Sequence, residues 1–303
     1  MEKKMLFIFN PQSGKSKIKN VLFDIVKRFS DADYEVTVYP TKRAGDCANK
    51  IRTDADRFDV VVVSGGDGTL HDAVEGMLEL PKELRRPIGY IPAGTMNDFA
   101  STNNISSTPR DAVAEIINNP IIPYDIGLFN GHRFIYVAAF GAFTDVSYET
   151  PQVNKNLFGQ SAYIFEGIKS LPKIKPVDVS VETAEGVRID TSAYLVLIMN
   201  STSVGGFDFG KFYEFDTADG MFEIVIIDKT VNLLELHNII AGIRHGKTDM
   251  PGITIISASK AKITTAEKVK WTLDGEFGGE MSNVEFEVAH NAVDFFISNN
   301  KKN

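Results

Sequence analysis

The sequence holds a single cysteine, Cys47, among 303 residues. One thiol excludes an internal disulfide and argues against a cysteine-ligated metal site. Histidine is scarce too: His132, His237, His245 and His290 are scattered singly, in neither a metal-binding nor a triad pattern. Long apolar runs are missing. Tyr194–Met199 and Ile224–Ile227 have strand length, far short of the roughly 18 residues that a membrane-spanning helix needs. The opening MEKKMLFIFNP has a basic flank, but the apolar run Met5–Phe9 before Asn10-Pro11 is too short for a signal peptide. A soluble, cytoplasmic protein is the expectation. There is no excess of positive charge either: 32 basic against 40 acidic residues give a net charge of −8. That argues against a general nucleic-acid binder, and no nucleic-acid partner is expected. Repeats and low-complexity tracts are absent. With 43% hydrophobic and 24% charged residues, the composition excludes a disordered, collagen-like or fibrous chain. At roughly 100–200 residues per domain, the length predicts two domains.

What is present falls into two halves. Met5–Phe9, Tyr34–Tyr39, Val60–Val63 and Ile88–Ile91 read as strands, and Val60–Val63 is the β-branched run of a strand buried on both faces. Between them lie helical patterns at Lys17–Phe29, Gly45–Arg52 and Thr69–Leu80, with Asp111–Asn118 as the last good helix. Ile18, Val21, Leu22, Ile25, Val26 and Phe29 share one face of the first. Strands alternating with helices predict a doubly wound, Rossmann-like α/β domain over 1–126. From Tyr124 onward strands dominate: Phe134–Phe140, Val177–Glu182, Ala193–Asn200, Met221–Ile227, Thr254–Ser257, Ala261–Thr265, Val269–Leu273 and Val284–Val288. Turns such as Asn130-Gly131, Glu185-Gly186 and Asp219-Gly220 punctuate them. They predict an antiparallel β-sandwich over 127–291, with helices near Gly159–Ser170 and Leu233–Arg244. The apolar tail Val293–Ser298 has the composition to pack back onto the first domain, which would assign 292–303 there.

Three glycine-rich motifs each follow a strand of the α/β half: Asn10-Pro11-Gln12-Ser13-Gly14-Lys15, Gly65-Gly66-Asp67-Gly68-Thr69 and Pro92-Ala93-Gly94-Thr95-Met96-Asn97-Asp98. In an open α/β sheet, ligands bind beyond the carboxyl ends of the strands. Glycine lets the backbone approach an anion closely, and a following helix N-terminus favours negative charge. Ser13, Thr69 and Thr95 add hydroxyl donors. A lone glycine-rich turn would merely end a strand, but three in succession point to nucleotide phosphates. Neither standard phosphate fingerprint is present. Instead Asp67 puts a carboxylate inside the loop, which makes chemical sense with a magnesium ion bridging to phosphate. Asp98 and Asp125 are its natural companions; the plain alternative for each is a turn or helix-cap aspartate.

In order along the chain, Asn10-Pro11 with Ser13-Gly14, Gly65–Thr69, Gly94-Thr95 with Asn97-Asp98, Asp125-Ile126-Gly127 and Asp274-Gly275-Glu276 resemble the diacylglycerol kinase catalytic family. Ser147–Pro151 and Ser170-Leu171-Pro172 are similar to the soluble bacterial lipid kinases of that family, the diacylglycerol kinases of Gram-positive bacteria. The likeness covers nearly the whole chain. Gly65–Thr69 alone is less specific, since it also occurs in sphingosine, ceramide and NAD kinases and, varied, in phosphofructokinases. The resemblance implies an ATP-dependent kinase with ATP on the N-terminal domain and the acceptor lipid hydroxyl in a cleft between the domains. It implies ATP contacts from Asn10, Pro11, Gln12, Ser13, Gly14, Thr41, Gly65, Gly66, Asp67, Gly68, Thr69, Leu70, His71, Thr95 and Asn97. It implies a catalytic Mg2+ network of Asp67, Asp98 and Asp125. His71 departs from the family's asparagine, although a neutral histidine also donates a hydrogen bond.

In the second half, Asp274-Gly275-Glu276 read alone is an exposed hairpin turn. A kinase acting on an alcohol needs the hydroxyl proton removed, which a carboxylate within hydrogen-bond reach can do, and the resemblance implies Glu276 as that general base with Asp274 as its orienting neighbour. Asp216-Thr217-Ala218-Asp219-Gly220-Met221 is an acidic turn, by residue type either a hairpin or a hard-cation loop. The resemblance implies a structural Mg2+ on Asp216, Asp219 and the carbonyl of Met221. Lys155, Lys169, Lys173 and Lys175, interleaved with Phe158, Tyr163, Phe165 and Leu171, suit either a solvated helix or an anionic bilayer surface. The implied product is phosphatidic acid made from diacylglycerol, with transient, peripheral contact at the inner membrane surface. Rival readings are a kinase for a sphingoid base, phosphatidylglycerol or NAD, and a non-catalytic nucleotide-sensing regulator. Oligomeric state is not legible in the sequence, although a homodimer is the commonest assembly.

Overall fold

The computed structural model describes residues 2–16, 18–95, 97–141, 175–204, 207–208, 216–229 and 252–298. The Ser147–Pro151 and Ser170–Pro172 blocks, the helices expected near Gly159–Ser170 and Leu233–Arg244, and most of the basic, aromatic stretch lie outside those residues. The chain divides into two compact units, Met1–Tyr124 with Asn291–Asn303, and Asp125–His290.

The first unit is built on four parallel strands in the order β4-β3-β1-β2. In chain order its elements are β1 (Lys3–Phe9), α1 (Ile18–Asp31), β2 (Tyr34–Pro40), α2 (Asp46–Asp54), β3 (Val60–Gly65), α3 (Asp67–Leu78), β4 (Ile88–Pro92), α4 (Asp98–Thr102) and α5 (Pro109–Asn118). Strand period 2 sends Met5, Phe7, Phe9, Val60 and Val62 to one face. There they pack with Ile18, Ile25 and Phe29 of α1 and Ala112, Val113 and Ile116 of α5. The other face is as dry: Leu6, Ile8, Val61 and Val63 are buried, as are Cys47 and Ile51 of α2 and Leu70, Ala73, Val74 and Met77 of α3. Burial on both sides explains why these strands read as continuous apolar runs. The start of α5 is preset by Pro109, whose fixed φ suits the first helical turn. The tail returns to this unit, where Phe295 pairs in parallel with Ile88 and packs against Phe99 and Tyr124.

Strands β5 (Ile121–Phe129), which begins in the first unit, β6 (His132–Phe134), β7 (Val137–Gly141), β8 (Val177–Thr183) and β9 (Arg188–Met199) come next. They are followed by β10 (Ser203–Val204), β11 (Phe207–Asp208), β12 (Phe222–Asp228), β13 (Ile253–Ala258), β14 (Lys260–Leu273) and β15 (Glu276–Phe296). The order β13-β12-β9-β7-β14-β15 is antiparallel between successive neighbours, and β8 pairs with both β9 and β14. Trp271 sits between Phe129 and Phe140, with ring centroids 4.7 and 4.8 Å away. Phe134, Phe222 and Phe286 extend this aromatic core.

Four expected strands differ in the structure. Phe134–Phe140 is not one strand: it breaks at Ile135 and Tyr136, because the Asp274 carboxylate takes the N–H groups of Ile135, Tyr136 and Val137. Ala261–Thr265 and Val269–Leu273 are one strand, β14, with a register shift between Thr264 and Val269. Val284–Val288 is the middle of the 21-residue β15. The short helix α4 at Asp98 has no counterpart in the hydrophobic pattern.

Candidate active site

Strand register in the first unit brings the glycine-rich loops together. Phe9 pairs with Pro40 and with Ser64, and Gly65 pairs with Pro92. Asn10, Thr41, Gly66 and Ala93 therefore follow the carboxyl ends of four adjacent parallel strands. Backbone bonds fasten them: Asn10 N–H donates to Ser64 O at 2.9 Å, Thr41 N–H to Phe9 O at 2.9 Å, and Ala93 N–H to Gly65 O at 2.7 Å. The Asn10 side chain accepts Gln12 N–H at 2.9 Å, which shapes the first loop as an Asx turn.

The glycines serve close approach. A Cβ on Gly94 would lie 2.7 Å from Gly66 Cα, and one on Gly14 (φ +56°) would lie 2.4 Å from Ala93 O. The three loops thus meet backbone to backbone. Gly65 is closed by a side chain, since its Cβ would meet Thr69 Oγ1 at 2.3 Å. Thr69 is buried over Gly65 and Leu70 is buried in the core, and the Leu70 N–H donates to Gly66 O at 3.2 Å. Gly68 is different: it is exposed, and its Cβ would meet nothing within 4 Å. It stands in the first turn of α3, where the helix dipole favours an anion. Gly68→Ala is therefore expected to leave the melting temperature unchanged and to weaken the binding of an anion that occupies this space. Gly94→Ala should lower both. Nucleotide titration beside thermal melting separates the two outcomes.

Asp67 opens α3, and its Oδ2 accepts Asn97 N–H at 2.9 Å. Asn97, in the left-handed region at φ 54°, returns a side-chain clamp: Oδ1 accepts Gly94 N–H at 2.9 Å and Nδ2 donates to Gly94 O at 3.0 Å. Asn97 thus shapes the third loop. Asp98 follows, buried at the start of α4. Tyr90, which no sequence motif marks, donates its hydroxyl to Gly65 O at 3.1 Å. Burial, then the charge of Asp67, pushes its phenol well above the usual range. Thr95 is exposed, and His71 Nε2 lies 3.9 Å from Glu75 Oε1 on the same helix.

In the second unit, Asp274 and Gly275 form a two-residue hairpin between Leu273 and Glu276, with φ of 49° and 84°. Positive φ at both central residues is the type I′ pattern, and Asp-Gly is the dipeptide that takes it. Asp274 Oδ1 accepts N–H from Tyr136 (3.0 Å) and Val137 (3.1 Å), and Oδ2 accepts N–H from Ile135 (2.7 Å). Tyr136 Oη donates to Asp274 O at 3.0 Å. Asp274 therefore anchors the hairpin from which the exposed Glu276 projects. Asp274→Asn should be markedly destabilising: an amide NH2 must face either Ile135 N–H or the Tyr136 and Val137 pair. Each donor left unpaired costs about 1–3 kcal/mol. Chemical denaturation should show the drop, and a midpoint equal to wild type would contradict it.

Asp125, fully buried, accepts Gly220 N–H at 2.6 Å and lies 3.0 Å from His290 Nδ1. Its own N–H donates to Thr217 O at 2.9 Å, and Asn200 Nδ2 bridges Asp125 O and Thr217 O. The acidic turn is so docked on β5. Within it, Asp216 accepts Ala218 N–H and Asp219 accepts Met221 N–H. Burial, with the charges of Asp216 and Asp125, raises the Asp219 carboxyl. Burial and Asp219 push Glu223 up to about 8. Among the described residues no three acidic, histidine or cysteine side chains stand together as a formed metal site. The donor chemistry nevertheless fits magnesium: carboxylates and a carbonyl, all hard oxygen, where mutual repulsion favours a cation. The glycine cradle with its open space at Gly68 fits a nucleotide phosphate.

The profile of the diacylglycerol kinase catalytic domain matches residues 4–129. That of the YegS C-terminal NAD kinase beta sandwich-like domain matches residues 139–297. A protein named diacylglycerol kinase from Bacillus subtilis is 34% identical over 283 residues, 91% of each chain. Another so named, from Staphylococcus saprophyticus, is 32% identical over 305 residues, covering 100% of this chain and 98% of its own. A solved structure from Bacillus anthracis, described as a candidate diacylglycerol kinase, matches with a TM-score of 0.84 at 23% identity over 98% of both chains, a likeness of fold.

Proposed function

Since the chain belongs to the family of the diacylglycerol kinase catalytic domain, and so to the lipid kinases, we propose that its acceptor is diacylglycerol and its product phosphatidic acid. The observation that carries the ATP side is the close meeting of Gly14, Gly66 and Gly94 with their neighbours beside an open Gly68. Backbone N–H groups there bind phosphate, and Thr41 and Thr95 add hydroxyls beside them. The Asn97 side chain holds the third loop in shape through its two bonds to Gly94.

Asp67, Asp98 and Asp125 are the proposed network for the catalytic magnesium, and Asp216, Asp219 and the Met221 carbonyl would hold a structural ion. Bound at the catalytic carboxylates, magnesium would neutralise the charge that builds on the transferred phosphoryl group. Glu276 accepts the proton of the acceptor hydroxyl as its oxygen bonds to the γ-phosphorus; the bond to the β-phosphate oxygen breaks and ADP leaves. Most of the rate then comes from positioning and electrostatics rather than from covalent chemistry.

No helix among the described residues is long and apolar enough to cross a membrane. Product analysis tests the reading: ADP and phosphatidic acid should appear in equal amounts. ADP without phosphatidic acid would overturn the proposed acceptor.

A further inference from the structure

In the sequence His290 is an isolated histidine with no motif around it. In the second unit its Nδ1 lies 3.0 Å from Oδ1 of Asp125, a carboxylate with no exposed surface. With Asp125 as the acceptor, the tautomer that makes this bond is the one with its hydrogen on Nδ1. The other oxygen of Asp125 takes Gly220 N–H at 2.6 Å. The imidazole also lies against Gly220 itself: a Cβ there would sit 3.3 Å from Nδ1, and φ is +81°. Asp125 thus links Gly220 to His290, and Gly220 belongs to the turn that holds Asp216, Asp219 and Met221.

We propose that His290 is a positioning residue: its Nδ1–H fixes the Asp125 carboxylate in the rotamer that receives Gly220 N–H, and so sets the shape of the Asp216–Met221 turn. A carboxylate offers several lone-pair directions, and a donor on one oxygen still lets it turn about its side-chain bond. A second donor on the other oxygen resists that rotation. Partners of this kind around metal ligands typically contribute 10–100-fold in metal affinity or activity. The inference rests on the proposed magnesium turn and on the kinase reading only for its second and third readouts.

The test uses the full chain with His290→Ala, His290→Asn and His290→Gln. Asparagine places its amide nitrogen the same number of bonds from Cα as Nδ1, whereas glutamine places it one bond farther. Hydrogen exchange of the 216–222 segment should be about tenfold faster at Gly220 in His290→Ala, close to wild type in His290→Asn, and intermediate or fast in His290→Gln. The Mg2+ concentration that half-saturates thermal stabilisation should rise about 10–100-fold in His290→Ala and recover in His290→Asn. The loss of activity should fall on kcat rather than on KM for ATP. Unchanged Gly220 exchange in His290→Ala would overturn the proposal, as would equal impairment of the alanine and asparagine variants. If the alanine variant does not fold, asparagine against glutamine decides: equal behaviour of that pair overturns it. Absence of any Mg2+-dependent shift in the wild type would remove the magnesium reading, and the exchange comparison would still judge the positioning role.

Discussion

Glu276→Gln is expected to lower kcat by ~10²–10⁴-fold, the usual contribution of a positioned general base, with fold and ATP affinity unchanged. Glutamine has the size and shape of glutamate but cannot take a proton at neutral pH. The residue is exposed at the first position of β15, opposite Leu273, and surface substitutions of this kind usually shift stability by less than about 0.5 kcal/mol. Its place is set by the Asp274-Gly275 turn and by the three N–H bonds on Asp274, none of which the substitution touches. The checking measurement is kcat beside melting temperature and nucleotide titration on one preparation. Full turnover in Glu276→Gln would remove Glu276 from the reaction.

Asp67→Ala should cost roughly 10²–10³-fold in kcat, the range seen when one preorganised electrostatic group is removed. Alanine also loses the acceptor for Asn97 N–H, so part of the effect is structural. Asp67→Asn separates the two. An amide oxygen can still accept from Asn97 N–H, while the negative charge is gone. The asparagine variant should therefore melt near the wild type, yet lose nearly as much activity and require more Mg2+. An asparagine variant with wild-type kcat and Mg2+ dependence would contradict a charged role for Asp67.

Much of the fold is legible in the sequence, for a physical reason. Strands buried on both faces must be apolar throughout, so Val60–Val63 could be read at sight, and α1 advertises its core face through Ile18, Ile25 and Phe29. Strand ends are marked by glycine, and parallel register carries those ends to one edge, which is why the loops after β1, β3 and β4 can be placed together from order alone. Contacts between distant residues are not legible. The break at Ile135 and Tyr136 is caused by a carboxylate 138 or 139 positions later, and no local propensity encodes it. Tyr90 and His290 look like any core tyrosine or surface histidine until β3 brings Gly65 O to the one and β5 brings Asp125 to the other. Similarly, the two short runs Ala261–Thr265 and Val269–Leu273 are joined only through their shared partner β15.

The most direct measurement is phosphate transfer from radiolabelled ATP with Mg2+, in mixed micelles containing an anionic lipid. Diacylglycerol, a sphingoid base, phosphatidylglycerol and NAD are each offered alone. The expected result is labelled phosphatidic acid from diacylglycerol, lost in Glu276→Gln and Asp67→Ala. Label on another acceptor alone would contradict diacylglycerol as the substrate, and ATP bound without label on any acceptor would contradict catalysis itself.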